Sequence, residues 1–175
     1  RRTLCTRTHR TGGGLMRIVP FSLALEPPLA TTSDTIDRRQ GFLVILQDPP
    51  GVGEATPLAG WTESLSECRT ALQSAAGLIE GGNVLEALES LDPETTPAAY
   101  HSLGLAIADG RARRASESLS HWLGPDPRER VPVYATIGDS GLDTTVASAR
   151  LANKDGYEAL KLKLGNRTLE ADIQR

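Results

Sequence analysis

Lysine is nearly absent from this chain: of its 19 basic residues only Lys154, Lys161 and Lys163 are lysine, and two of those stand two positions apart. Cysteine is scarce as well. Cys5 and Cys68 form no Cys-x-x-Cys or Cys/His cluster, which excludes a zinc module or a disulfide framework and leaves the reducing cytoplasm as the expected compartment. Excess positive charge is also lacking. A net charge of −3 and a pI near 5.6 leave no basic field to hold a nucleic-acid backbone or an anionic membrane surface, so no nucleic-acid or membrane partner is expected. No stretch approaches the ~20 apolar residues of a membrane span. What remains, 175 residues with 39% hydrophobic and 23% charged content, suits a globular protein with one or two cores.

The first fifteen residues differ from the rest. Arg1, Arg2, Arg7 and Arg10 occur without an acid and lead through Gly12-Gly13-Gly14 to Met16, the single methionine and the expected true start. Residues 1–15 are therefore expected to be a disordered leader. A signal peptide with Ile18 to Leu25 as its apolar region is the alternative, but Pro20 and Ser22 interrupt that region and no small-x-small site follows.

Residues 16–25 and 42–47 are short, apolar and bounded by Pro, Gly and Asp, which predicts two strands with a polar loop from Glu26 to Gly41 between them. Asp48-Pro49-Pro50-Gly51 supplies a turn, so Val52 to Ala55 is expected to return as a third, antiparallel strand. Helical spacing of Leu65, Cys68, Leu72, Ala75 and Leu78-Ile79 predicts a helix ending at Gly81-Gly82. A short helix capped by Asn83 follows, then one opened by Pro97 with Arg111, Arg113 and Arg114 toward its carboxyl end. Gly104 and Gly110 inside that helix require either a close backbone neighbour or a break. A further helix is expected from Ser116 to Leu123, and Gly124-Pro125-Asp126-Pro127 marks a boundary. Beyond it, a strand over 131–137, a helix over 144–154 and a strand over 159–164 read as a parallel βαβ unit.

In Ala159-Leu160-Lys161-Leu162-Lys163-Leu164 the period of two places the leucines on one face and both lysines on the other. A strand with one solvated face, or an edge strand protected by lysine, produces the same pattern. Parallel sheets, however, usually have both faces covered, and two ammonium groups held close repel, which favours a neutral amine that acts as a base.

The run Gly156 to Gly165 resembles the end of the second barrel strand in the Lys-x-Lys group of the enolase superfamily. Three further motifs resemble that family in the same order: Gly51-Val52-Gly53-Glu54-Ala55 with Pro57 and Gly60, Thr96 to Asp109, and Val131 to Gly138. The resemblance implies an α+β capping domain over residues 16–125, a three-stranded antiparallel meander plus helices. Over residues 131–175 it implies the first βαβ of a TIM-like (β/α) barrel that stops incomplete. It implies Lys163 as the base that removes a proton next to a carboxylate, Lys161 as its electrostatic neighbour, and Mg²⁺ stabilising the enediolate. The metal ligands and a second lysine would come from later strands, so none is assigned within this chain. A complete barrel needs roughly 200 residues or more, and these 175 residues alone are expected neither to bind Mg²⁺ in the family manner nor to turn over substrate.

Within that family the o-succinylbenzoate synthase branch is favoured, a dehydration in menaquinone biosynthesis. The preference comes from overall resemblance of the Pro-Leu-Ala-Thr-Thr stretch and the Gly53 to Ser64 run. Dipeptide epimerase, muconate-type cycloisomerase and a non-catalytic capping-type binding module are the alternatives. The partner expected is a small carboxylate substrate. A homo-oligomer stays open. The 26–41 loop would be a mobile lid with Thr31, Thr32 and Arg38 as contacts, and Glu54 is equally readable as a solvated turn carboxylate. Gly138-Asp139-Ser140-Gly141 spells a protease nucleophile motif in the wrong context for a triad, and His9, His101 and His121 have no second ligand at metal spacing.

Overall fold

In the computed structural model of the chain, residues 15–30, 35–138, 141–165 and 167–174 are described. They fall into two compact units, one within 1–21 and 40–124, the other within 22–39 and 125–175.

Strands β1 (Met16–Ala30), β2 (Thr35–Gln47) and β3 (Pro50–Ala55) form a sheet in that order. β2 and β3 pair antiparallel from Phe42 opposite Ala55 to Gln47 opposite Pro50, around the Asp48–Pro49 turn with its cis peptide bond. The expected loop over 26–41 is corrected: most of it is strand, in β1 to residue 30 and in β2 from residue 35. Pro27 and Pro28 lie on β1, an edge strand of the sheet, which is where sheets tolerate proline. Asp37 and Arg38 are tolerated because this arm is exposed and has no apolar face to alternate.

Helices α1 (Leu65–Glu80), α2 (Val84–Glu89) and α3 (Pro97–Arg114) complete the first core. Phe42, Val44 and Leu46 point inward with the period of a strand, and Cys68, Leu72, Ala75 and Ile79 do so with the period of a helix. α1 opens on a capping box: Ser64 Oγ accepts from Glu67 N, and Glu67 Oε2 accepts from Ser64 N at 2.8 Å. Hydrogen bonding to the Ser64 side chain and to its backbone N–H holds the Glu67 carboxyl below its usual range. Asn83 precedes α2 as expected, but its side chain makes no capping bond.

α3 buries mostly small residues, Ala98, Ala99, Ser102, Ala106 and Gly110 among them, because a strand backbone lies against it. A Cβ on Gly51 would stand 2.0 Å from Ala106 O, and one on Gly53 would stand 1.9 Å from Ser102 O. Gly110 in turn faces the carbonyl of Pro49, where a Cβ would come within 2.8 Å. This is the close neighbour that Gly110 requires, and the helix runs unbroken. Gly104 meets only Leu88 Cδ1 at 3.8 Å, an ordinary contact, so no steric reason for that glycine emerges. Two polar ties lock the same pair of elements. Asp109 Oδ2 accepts from Val52 N at 2.9 Å and from Arg113 Nε at 2.9 Å, and Arg114 pairs with Asp48 at 2.7 Å. Burial pushes the Asp109 carboxyl up, but the Arg113 and Val52 bonds and the Arg113 charge outweigh it, and the group lies below its usual range.

The amino end of α3 has Pro97 in its first turn and no bond from the Thr96 side chain. Glu63 supplies what is missing. Its buried carboxylate accepts from Ala98 N at 3.1 Å and from Ala99 N at 2.8 Å, two donors that the helix itself leaves unpaired. The Cys68 thiol lies against the same carboxylate, and burial, the Glu63 charge and a hydrogen bond to Glu63 push it up to about 12.

The remaining segments differ from expectation at their starts. The helix expected from Ser116 is α4 (Leu119–Leu123), because Ser116 adopts a φ of 59° and Ser118 caps the new start. The strand expected from Val131 is β4 (Tyr134–Ile137), since Pro132 lacks a donor and Val131 and Val133 are largely exposed. α5 (Leu142–Lys154), β5 (Ala159–Leu162) and α6 (Leu169–Gln174) follow, and β4 and β5 pair parallel.

Two outcomes follow from this packing. Gly53→Ala is expected to destabilise the chain by at least about 2 kcal/mol, because the backbone of α3 must move. Gly77→Ala, at an exposed site inside α1 with nothing within 4 Å, is expected to stabilise it by about 0.5–1 kcal/mol. Urea unfolding of the two variants checks the opposite signs. For Cys68 the unfolded thiol ionises near 9.0 and the folded one near 12, so the unfolded state loses its proton first and stability falls as pH rises through that window. In a Cys5→Ser background, Cys68→Ala is expected to remove this component of the alkaline slope in urea midpoints.

Candidate active site at the end of the second parallel strand

β4 and β5 are joined by α5, and Gly156, at a φ of 88°, turns the chain from helix into strand. The register sets Tyr134 opposite Ala159, Ala135 opposite Leu160, Thr136 opposite Lys161 and Ile137 opposite Leu162. Lys163 comes directly after β5, yet its N–H still donates to Ile137 O at 3.3 Å, so the ladder continues through it. Two parallel strands point their carboxyl ends the same way, and Lys163 therefore stands at the mouth where parallel α/β sheets place their chemistry.

The two lysines follow the period of two, with backbones about 6–7 Å apart along the strand. Lys161 Nζ lies 5.8 Å from the centre of the Tyr134 ring, within cation–π range. Lys161 is exposed and Lys163 is half-buried. The leucines do not show the covered face that the alternation predicts: Leu160, Leu162 and Leu164 are 45%, 37% and 55% exposed. In this unit burial is confined mainly to Ile137, Thr145 and Ala152.

Thr31 and Thr32 lie outside the described residues, as do Asp139 and Ser140 of the Gly-Asp-Ser-Gly loop. Arg38 is on β2, where its Nε donates to Ser22 Oγ at 3.0 Å. Glu54 is exposed and accepts from the Thr56 hydroxyl, the behaviour of a turn carboxylate. His101 is an exposed residue of α3, and His121 Nδ1 sits 2.7 Å from Ser118 Oγ, within the cap of α4. Glu63 was not foreseen as a structural group. The usable signal was an acid one residue before a capping serine, together with a proline-led helix that has no cap of its own. Among the described residues no group of three or more His, Cys, Asp and Glu side chains could hold a metal ion. No described helix is long and apolar enough to cross a membrane.

No protein-family model matches the chain. The dipeptide epimerase of Enterococcus faecalis, solved with Mg and L-Leu-L-Tyr, superposes with a TM-score of 0.82 at 23% identity, over 93% of this chain and 48% of that one. An enolase family member from Agrobacterium tumefaciens, with homology to dipeptide epimerases and solved with sodium and L-Ala-L-Glu, gives 0.77 at 20% identity over 91% and 48%. The chain has the enolase-superfamily fold. Its three-stranded sheet and helices match that superfamily's amino-terminal capping domain, and β4-α5-β5 matches the start of its barrel. In sequence, the L-Lys-D/L-Arg epimerase of Desulforapulum autotrophicum is 29% identical over 163 residues, 87% of this chain and 46% of that protein. The chain thus spans about half the length of the relatives it matches.

Proposed function

We propose that this chain carries the proton-abstracting strand of an enolase-superfamily epimerase acting on dipeptides. The observation that carries the proposal is the placement of Lys163, with Lys161 on the same face, where the second parallel strand ends. In this reading the neutral amine of Lys163 removes the hydrogen from the carbon next to a substrate carboxylate, and Lys161 adds positive charge on that side. An ammonium beside the developing negative charge stabilises it most where water is excluded. Mg²⁺ belongs to the proposal through the solved relatives, and its ligands would have to come from outside the described residues.

The epimerase reading displaces the o-succinylbenzoate synthase expected from sequence. The relatives named above are epimerases or homologous to them. In the run that favoured the synthase, Gly53 to Ser64, several residues have structural work. Gly53 admits α3, Glu54 bonds Thr56, Thr62 Oγ1 accepts from Leu58 N at 2.8 Å, Glu63 caps α3 and Ser64 caps α1. Resemblance at these positions is therefore explained by the fold without reference to a substrate.

The test uses the complete gene product with Mg²⁺ and L,L-dipeptides in D₂O. Deuterium is expected to replace the α-hydrogen next to the free carboxylate, with the epimer accumulating, both read by proton NMR. Lys163→Ala is expected to slow exchange by about 10²–10⁴-fold while the circular dichroism spectrum stays unchanged. Exchange that persists in folded Lys163→Ala overturns the assignment of the base, and a folded protein that exchanges no substrate points to a binding module. Dehydration of a hydroxycyclohexadiene carboxylate without dipeptide exchange would restore the synthase.

A further inference from the structure

Directly after Lys163 the chain turns. Gly165 adopts a φ of 102°, a conformation that favours glycine, and nothing lies within 4 Å of where its Cβ would be. Glycine is therefore needed there for the backbone path and not for space. The Gly165 N–H donates to Asp172 Oδ2 at 2.7 Å, the length of a charge-assisted bond. Asp172 is itself held by the start of α6: its N–H donates to Thr168 O at 3.0 Å, and Thr168 Oγ1 accepts from Ala171 N at 3.4 Å. Its second oxygen, Oδ1, is buried and has no hydrogen-bond partner among the described residues.

A turn of this kind can be closed by a neutral acceptor with less desolvation. Leaving one carboxylate oxygen buried and unpaired costs stability that the single Gly165 bond offsets only in part. What the carboxylate adds is a short, strong bond to one chosen amide. That amide lies two residues beyond Lys163, whose own N–H is tied to Ile137 O. Lys163 is thus bracketed by two backbone anchors, one on the parallel ladder and one on α6. With 3.8 Å between successive Cα atoms, a span of two residues leaves little slack.

We propose that Asp172 is a positioning residue for Lys163: through the Gly165 amide it fixes the direction in which the lysine leaves the strand. The proposal rests on Lys163 being the base, but the clamp itself is measurable without turnover. In the 175-residue chain, an NMR scalar coupling across the hydrogen bond is expected between the Gly165 amide nitrogen and the Asp172 carboxyl carbon. Asp172→Ala is expected to speed hydrogen exchange at Gly165 by at least about tenfold and to shift the Lys163 ε-methylene signal. The Lys161 signal should stay in place. Asp172→Asn, which keeps an acceptor oxygen, is expected to restore most of the Lys163 signal.

Absence of that coupling in the unaltered chain overturns the clamp, and that measurement needs no variant to fold. A Lys163 signal that is the same in folded Asp172→Ala reduces Asp172 to a structural residue and overturns the positioning role. In the complete gene product, Asp172→Ala is expected to lower kcat at least tenfold with KM within about twofold. If that protein proves inactive on dipeptides, the epimerase reading fails while the amide and lysine measurements still decide the clamp.

Discussion

The approach of β3 to α3, backbone against backbone, is the constraint on which the first unit depends. It exists because Gly51, Gly53 and Gly110 have no Cβ at positions where one would fall 2.0, 1.9 and 2.8 Å from a carbonyl oxygen. Once strand and helix are that close, α3 has room only for Ala98, Ala99, Ser102 and Ala106 along much of its buried surface. The bulk of the core comes from Phe42, Val44 and Leu46 on β2, Leu72 and Ile79 on α1, and Leu103 and Ile107 of α3 itself. The polar ties from Asp109 to Val52 and from Arg114 to Asp48 set the direction of this contact, since dispersion alone would tolerate sliding.

Glu63 connects the same helix to α1. A buried carboxylate is unfavourable unless its oxygens are paired, and here both oxygens accept amides from the first turn of α3, where the helix dipole also favours negative charge. Because Glu63 immediately precedes the Ser64 cap, the starts of two helices are fixed within two residues of sequence. The raised Cys68 thiol is a by-product of that arrangement: a buried thiol beside a carboxylate stays protonated and behaves as a small core residue.

The elements with strong periodicity were legible in sequence. α1 showed the spacing of Cys68, Leu72, Ala75 and Ile79, and the β4-α5-β5 order followed from short apolar runs separated by a helical one. What failed was read from composition. Pro27, Pro28, Asp37 and Arg38 looked like a loop because strand preference is usually judged by alternation, which an exposed two-stranded arm does not need. Gly51 read as turn chemistry and Gly53 as an ordinary strand residue, whereas their partners Ser102, Ala106 and Gly110 stand four residues apart on one face of α3, a pairing visible only once strand and helix are considered together. Asp172 carried no local signal, since its partner is a backbone amide seven residues earlier.

The lysine pair shows where sequence can and cannot reach. Alternation along one strand placed both amines on one face at a strand end, and the parallel register agrees with that placement. A single face is enough to remove a proton. Inverting a stereocentre also requires a proton donor on the opposite face of the planar intermediate, and dehydration requires a leaving group with its own acid. Neither can be supplied by side chains that project from one side of β5. In the proposed reading, Lys161 and Lys163 would supply only the proton abstraction that such reactions share, and the outcome would depend on groups outside the described residues. The Gly53 to Ser64 run looked specific to one outcome, but Gly53, Glu63 and Ser64 within it are occupied in seating α3 and capping α3 and α1. Resemblance in a run so constrained reports on the fold, and for that reason it could not separate one reaction from another.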